Sequence, residues 1–144
     1  MEGLATIAPD DDRAGSLDQI ELLRVAFRAT AESPGVARGL TARVLDGSPH
    51  LDVVLVLVSE LVTNAVLHAR GEGELTITRR HHTDATHEII RVEVRDSDRD
   101  APESPASPGA HGGFGLRIVN ALARDWGFSP LADGKVVWFE VGGR

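Results

Sequence analysis

The sequence of 144 residues contains no cysteine, no tyrosine and a single lysine, Lys135. Without cysteine the chain has no disulfide, no thiolate nucleophile and no cysteine-based zinc site. Aromatic residues are also scarce, at 4%, and 22 acidic against 15 basic residues give a formal net charge of −7. An acidic chain lacks the basic face that binds a nucleic-acid backbone, so we expect no direct nucleic-acid partner. A local site for one small anion remains open.

Signals for a membrane or for export are also missing. No uninterrupted apolar run approaches the roughly 18 residues of a membrane span. The first residues, MEGLATIAPDDDR, are acidic and lack a basic region followed by an apolar stretch. The sequence therefore predicts a cytoplasmic protein with no membrane partner. Its length predicts one domain, 19–144, after a polar and flexible N-terminal arm, 1–18.

Apolar periodicity predicts five strands and three helices in the order β-α-α-β-β-loop-α-β-β. Consecutive strands can pair as hairpins, which predicts an α+β fold with a mixed, mostly antiparallel sheet and helices on one face. The predicted strands are 20–28, 74–80, 88–96, 127–131 and 135–141, and the predicted helices are 33–45, 51–69 and 115–125. The loop 97–114 holds three of the seven prolines and has no periodicity, which is typical of a lid or binding loop.

The helix predicted at 51–69 has polar residues in an unusual place. At about 100° per residue, seven apolar residues cluster on one face that we expect to meet the core: Leu51, Val54, Leu55, Val58, Val62, Ala65 and Val66. The opposite face carries Glu60, Asn64 and His68, which stack because they are four residues apart. Three apolar residues share that opposite face: Val53, Leu57 and Leu67.

A face with this composition indicates the wall of a pocket. The alternative interpretation is a surface stripe whose polar residues hydrogen-bond to loops, and His68 alone would more often be a core or supporting residue. As a pair, Glu60 and Asn64 suit phosphoryl transfer. The Asn64 amide oxygen can bind Mg²⁺, a hard cation that prefers oxygen ligands. The Glu60 carboxylate can orient or deprotonate an attacking hydroxyl or water.

Two further segments are candidates. The glycine cluster at 111–116, HGGFGL, opens the last predicted helix, where backbone N–H groups and the helix dipole favour phosphate. Glycines serve ordinary loops and caps about as often, so this segment alone decides nothing. Asp96 ends a predicted strand, where an aspartate most often forms a turn. A buried carboxylate there could also accept a hydrogen bond from an exocyclic amine such as that of adenine.

Together, three segments resemble the N, G1 and G2 boxes of the GHKL ATPase superfamily: ELVTNAVLH at 60–68, VEVRD at 92–96 and GGFGL at 112–116. In order and spacing they are most similar to small single-domain anti-sigma-factor serine/threonine kinases and related ATP-binding regulators. The resemblance covers about 20–142. It implies a Bergerat-type two-layer sandwich in which 97–114 is a long ATP lid.

The resemblance also implies a role for each residue of these boxes. Glu60 would be the general base, and Asn64 would bind Mg²⁺. Asp96 would bind the adenine amino group, and His68 would lie beside the nucleotide. The remaining implied nucleotide contacts are Gly112, Gly113, Phe114, Gly115 and Leu116. The implied cofactors are therefore ATP and Mg²⁺.

By the same resemblance the protein would phosphorylate an anti-sigma-factor antagonist and so control a sigma factor by partner switching, with a homodimer as one arrangement. The alternative is a non-catalytic module that binds a protein partner with or without nucleotide. Asp98 and Asp100 are the sequence argument for this alternative, since Asp98 stands where the family's G1 box has glycine and the two residues add two carboxylates near a polyanionic ligand. Arg99 and Arg117 are the candidates for a γ-phosphate contact.

Overall fold

The computed structural model describes residues 18–68, 71–81, 87–98 and 113–143. Its elements follow the predicted order. The strands are β1 (Asp18–Arg28), β2 (Glu72–His81), β3 (Glu88–Asp96), β4 (Asp125–Leu131) and β5 (Gly134–Gly142). The helices are α1 (Ser33–Val44), α2 (Leu51–His68) and α3 (Gly113–Leu122). The predicted arm, apart from Asp18 at the start of β1, and the predicted lid from 99 to 112 lie outside the described residues.

The last helix is displaced from its predicted position. It begins at Gly113 and ends at Leu122, and β4 already begins at Asp125. The backbone N–H of Arg124 donates to the carbonyl of Glu140 on β5, 2.8 Å away, so the chain has joined the sheet by this point. Strand pairing therefore ends the helix earlier than its apolar pattern predicts.

The five strands form one sheet in the order β1-β2-β3-β5-β4. All four pairings between described strands are antiparallel. The prediction of a mostly antiparallel sheet is confirmed, but a parallel pair is absent among these strands. The reason is that β3 and β4 run in the same direction while β5 lies between them and pairs with both.

The helices cover one face of the sheet and enclose the core, which is the predicted two-layer arrangement. Side chains of β3 and β5 alternate between the two faces, and facing pairs such as Val92 and Phe139 point to the helices. The largest fully buried side chains are Phe139, Leu45, Leu57, Leu75, Ile77, Ile90, Val54, Val58, Val62, Val92 and Val94. The other face carries charged side chains and Trp138.

Helix α2 supplies the centre of the helical layer. Its buried residues are Val54, Leu57, Val58, Leu61, Val62 and Ala65. The prediction that Leu57 lies away from the core is wrong, because α2 packs against α1 and α3 as well as against β3 and β5. Neighbours on several sides bury a wider arc than one apolar stripe.

The same helix is apolar enough, by length and composition, to cross a membrane. Its 18 residues have a mean hydropathy of 1.7, contrary to the expectation that no segment approaches a membrane span. The buried core helix of a water-soluble domain meets the same criterion, and α2 packs on the sheet as such a helix does.

Candidate functional site

Glu60, Asn64 and His68 follow one another along α2 at intervals of one turn. Four residues advance an α-helix by about 6 Å, so the Glu60 and Asn64 side chains are neighbours along the axis. Both are half-buried, whereas His68 is exposed in the last turn of α2. The three side chains therefore lie along the border between the buried arc of α2 and its exposed side.

These polar side chains have no partner within the part of the chain that the structure describes. Neither the Glu60 carboxylate nor the Asn64 amide makes a hydrogen bond or ion pair there. Half-buried polar groups normally find a hydrogen-bond partner in protein or in solvent. Within the described residues their donor and acceptor capacity is thus not used by protein groups.

Asp96 lies at the last position of β3 and faces the helical layer. It shares its face of the strand with Val92 and Val94, which are fully buried. The Asp96 side chain is only 4% exposed. A carboxylate at this place is expensive to bury without partners.

Lys135, the single lysine, provides the main partner of Asp96. The two residues are directly opposite each other in the β3–β5 register. The Lys135 ammonium lies 3.3 Å from Asp96 Oδ1 and 3.4 Å from Oδ2. Burial raises the pKa of the Asp96 carboxyl, while the backbone N–H of Asp98 and the Lys135 ammonium act in the opposite direction.

Asp98, the residue that departs from the G1 pattern, belongs to the same cluster. Its backbone N–H donates to Asp96 Oδ1 at 2.8 Å, which closes a turn two residues long. Its carbonyl accepts from Lys135 at 3.2 Å, and its carboxylate lies 3.5 Å from the same ammonium. Asp96 thus forms a turn and is also a buried carboxylate, and Lys135 offsets part of the charge that Asp98 adds.

The glycine-rich segment is described only in part. Helix α3 begins at Gly113, and Gly113, Phe114, Gly115 and Leu116 form its first turn. Gly112 lies outside the described residues. A helix that begins at the glycines has unpaired backbone N–H groups at that end, as the phosphate-binding prediction requires.

The fold brings the elements that carry these residues together. Helix α2 packs against β3 and β5, which carry Asp96 and Lys135, and it also packs against α3. Asp96 and Lys135 therefore lie on strands that pack against the helix that carries Glu60 and Asn64. Among the described residues, contacts that join the side chains of Glu60 or Asn64 to Asp96 are absent.

A cavity of about 270 Å³ also borders Asp96, but on the other face of the sheet. It is lined by Glu74, Arg95 and Asp133 among others. Glu74 and Arg95 alternate along their strands with the buried residues Leu75 and Val94, so they point away from the helices. This cavity is not the predicted site.

The donor set on α2 fits Mg²⁺ when a nucleotide shares the ion. Among the described residues, three or more His, Asp or Glu side chains do not cluster to hold a metal alone. Mg²⁺ does not need such a cluster, because it keeps several waters and binds substrate phosphates with one or two protein ligands. The half-buried oxygens of Glu60 and Asn64, one turn apart, are donors of the required kind.

Sequence reasoning did not assign Lys135 to the site. Its partner Asp96 is 39 residues away, and only the register between β3 and β5 brings the two together. The available signal was that the only lysine of the chain occupies the start of a strand whose later residues are buried.

Comparison with known proteins shows what the chain is similar to. The family described as the histidine kinase-like ATPase domain matches residues 14–141. Among curated proteins, none matches the chain.

Two solved structures are similar. The RsbU and RsbW domains of Rv1364c from Mycobacterium tuberculosis are 19% identical, with a TM-score of 0.58 over 85% of this chain. The histidine kinase domain of the Erythrobacter litoralis EL346 blue-light activated histidine kinase is 22% identical, with a TM-score of 0.47 over 73% of this chain. The chain spans 33% of the first structure's length and 60% of the second's. At 19% identity, the similarity to the Rv1364c structure shows a shared fold only.

Proposed function

The chain belongs to the family of histidine kinase-like ATPase domains, and on that premise we propose that it is a cytoplasmic regulatory protein that binds ATP with Mg²⁺. The proposed activity is transfer of the γ-phosphoryl group to a serine or threonine of a protein antagonist of the anti-sigma-factor type. The transfer would control a sigma factor by partner switching. The motif resemblance supports these partners.

One observation carries the proposal. Glu60 and Asn64 present half-buried oxygens on one border of α2, and neither has a partner in the described part of the protein. The helix that holds them packs against the strand that ends at Asp96. A carboxylate and an amide on this helix, and a second carboxylate on a strand packed against it, match the needs of phosphates with Mg²⁺ at one end and a purine amine at the other.

Each residue then has a defined task. Asn64 would hold Mg²⁺, which offsets phosphate charge when bound. Glu60 would accept the proton of the serine or threonine hydroxyl while the hydroxyl oxygen bonds to the γ-phosphorus. The bond from that phosphorus to the β–γ bridging oxygen breaks, and ADP leaves with the bridging oxygen. Asp96 would accept a hydrogen bond from the adenine amino group.

Asp98 favours a second candidate function, a protein-binding module without nucleotide. Asp98 stands where the family's G1 box has a glycine, and its carboxylate adds negative charge next to the proposed site for the adenine ring. The ion pair with Lys135 at 3.5 Å reduces that charge, which supports the first candidate instead. The two functions differ in whether ATP binds at all.

Isothermal titration calorimetry with ATP and Mg²⁺ tests binding. We expect a saturable heat for the wild type and none for Asn64→Ala at millimolar nucleotide. The matched control is Asp52→Asn, which removes a charge from the exposed side of the same helix and should bind normally. Absence of heat with the wild type would favour the nucleotide-free module.

Transfer of label from [γ-³²P]ATP to a native antagonist tests the chemistry. Glu60→Gln should bind ATP and transfer less than about 1% of the wild-type label, since loss of a general base costs about 10²–10⁴-fold. Equal transfer by Glu60→Gln and the wild type would show that another group accepts the proton.

A further inference from the structure

Lys135 and Asp96 form an ion pair that is almost completely withdrawn from water. Their side chains are 7% and 4% exposed. Two apolar side chains at these facing positions would avoid the desolvation of two charges, and such replacements are often neutral or stabilising in proteins. The presence of the pair therefore indicates a requirement for charge at this place rather than a requirement of the fold.

The two oxygens of the Asp96 carboxylate accept different numbers of hydrogen bonds. Asp96 Oδ1 accepts from both Asp98 N, at 2.8 Å, and Lys135, at 3.3 Å. Within the described residues Oδ2 has only the Lys135 ammonium, at 3.4 Å. Since a carboxylate oxygen has two lone pairs, Oδ2 retains acceptor capacity.

We propose that Lys135 is a positioning residue that keeps the Asp96 carboxylate ionised, with Oδ2 turned to the ligand, and thereby sets the preference for a base that carries an exocyclic amine. The inference rests on the proposed nucleotide site for its ligand. An ionised carboxylate only accepts hydrogen bonds, so it selects an amine. A protonated carboxyl group can also donate, so it tolerates a carbonyl at the same ring position.

The charged groups around Asp96 determine whether it stays ionised. From β5 the cation is Lys135, and from the turn after β3 the anion is Asp98. From α2, which packs against β3, the titratable groups are Glu60 and His68. Burial already raises the pKa of Asp96. Removal of the Lys135 cation raises that pKa further, because a buried carboxylate then lacks its opposite charge.

The first test needs no nucleotide. The ¹³C carboxyl resonance of Asp96 is titrated in the wild type, in Lys135→Met and in Lys135→Arg, with Arg95→Met as the matched control. Arg95 is next to Asp96 in sequence, but its side chain is 50% exposed and pairs with Asp133 at 3.5 Å. We expect the midpoint for Asp96 to rise by about one pH unit or more in Lys135→Met only. The same midpoint in Lys135→Met and the wild type would overturn the proposal.

The second test compares the affinities of ATP and ITP, which differ in an amine and a carbonyl at one ring position. At a pH between the Asp96 midpoints of the wild type and of Lys135→Met, we expect the wild type and Arg95→Met to prefer ATP and Lys135→Met to lose most of that preference. Lys135→Arg should restore it. An ATP preference in Lys135→Met that equals that of the wild type would also overturn the proposal.

Two other outcomes are possible: Lys135→Met does not fold, or the wild type binds no nucleotide. If Lys135→Met does not fold, Lys135→Gln replaces it, since it also removes the cation but keeps a polar side chain, and an Asp96 midpoint equal to that of the wild type contradicts the proposal. If the wild type binds neither nucleotide, the proposed function fails, while the carboxyl titration still decides whether Lys135 governs Asp96.

Discussion

Gly134 lies against the carbonyl oxygen of Asp96 so closely that a Cβ atom on Gly134 would be 1.9 Å from it. No side chain fits this contact, so a glycine is required where β5 begins beside the end of β3. The same close approach brings the next residue, Lys135, opposite Asp96. The geometry of the ion pair thus depends on a neighbour without a side chain.

Gly134→Ala should therefore lower the free energy of unfolding by about 1–3 kcal/mol, because the two strand ends must separate to admit the methyl group. Urea denaturation gives this value. The control is Gly39→Ala in α1, where nothing lies within 4 Å of the added atom, and helix propensity predicts a gain of about 0.5–1 kcal/mol. Equal effects at both positions would show that the contact is not tight.

Lys135→Met should lower the free energy of unfolding by about 3–5 kcal/mol, because Asp96 loses its cation and is then either an unpaired buried charge or must take up a proton. The double variant Lys135→Met, Asp96→Asn should recover most of this loss. Arg95→Met removes a cation from an exposed pair and should cost less than about 1 kcal/mol. Denaturant unfolding at pH 7 separates these cases, and a double variant as unstable as the single one would contradict the account.

The raised pKa of Asp96 predicts a pH dependence of stability. Between the pKa of Asp96 in the unfolded chain and its higher pKa in the folded protein, the folded state binds more protons, so stability falls as the pH rises through this window. The free energy of unfolding of the wild type, minus that of Asp96→Asn, should fall across the window and level off above it.

Glu21 should show the opposite change of stability with pH when it is measured over the same pH range. Its hydrogen bond to Arg24 lowers its pKa, so its contribution to stability is present above the pKa of the unfolded chain and is lost as the pH falls. The difference between the wild type and Glu21→Gln should therefore rise with pH. Slopes of the same sign for Asp96→Asn and Glu21→Gln would refute the assignment for Asp96.

Glu140 joins two arginines on the sheet face that points away from the helices. Its Oε2 accepts from Arg80 at 3.2 Å and from Arg91 at 2.9 Å, and its side chain is 12% exposed. Glu140→Gln should cost about 1.5–3 kcal/mol, as for hydrogen bonds to charged groups. Glu74→Gln breaks the more exposed pair with Arg24 and should cost less than about 1 kcal/mol. Equilibrium unfolding in low and high salt checks both values.

The order and type of the elements could be predicted because apolar periodicity is a local property of the sequence. The stripe of Glu60 and Asn64 could be recognised for the same reason, since four residues make about one turn of any helix. The burial of Leu57 could not be predicted, because the part of the α2 surface that is buried depends on which neighbours pack around the helix.

The pairing of Lys135 is a second feature that could not be predicted from the sequence. Nothing near it in the chain identifies its partner, and its role follows only from the register that places it opposite Asp96, 39 residues away. Strand register between distant segments is set by the packing of the whole sheet rather than by local pattern.

The central claim, that a nucleotide binds between α2 and the end of β3, is tested most directly by NMR titration of the ¹⁵N-labelled protein with a non-hydrolysable ATP analogue and Mg²⁺. Saturable shifts should be largest at the backbone amides of Glu60, Asn64 and Asp96, and Asn64→Ala should abolish them. Shifts confined to the opposite sheet face, around Arg91 and Glu140, or no saturable shifts at millimolar analogue, would contradict the claim.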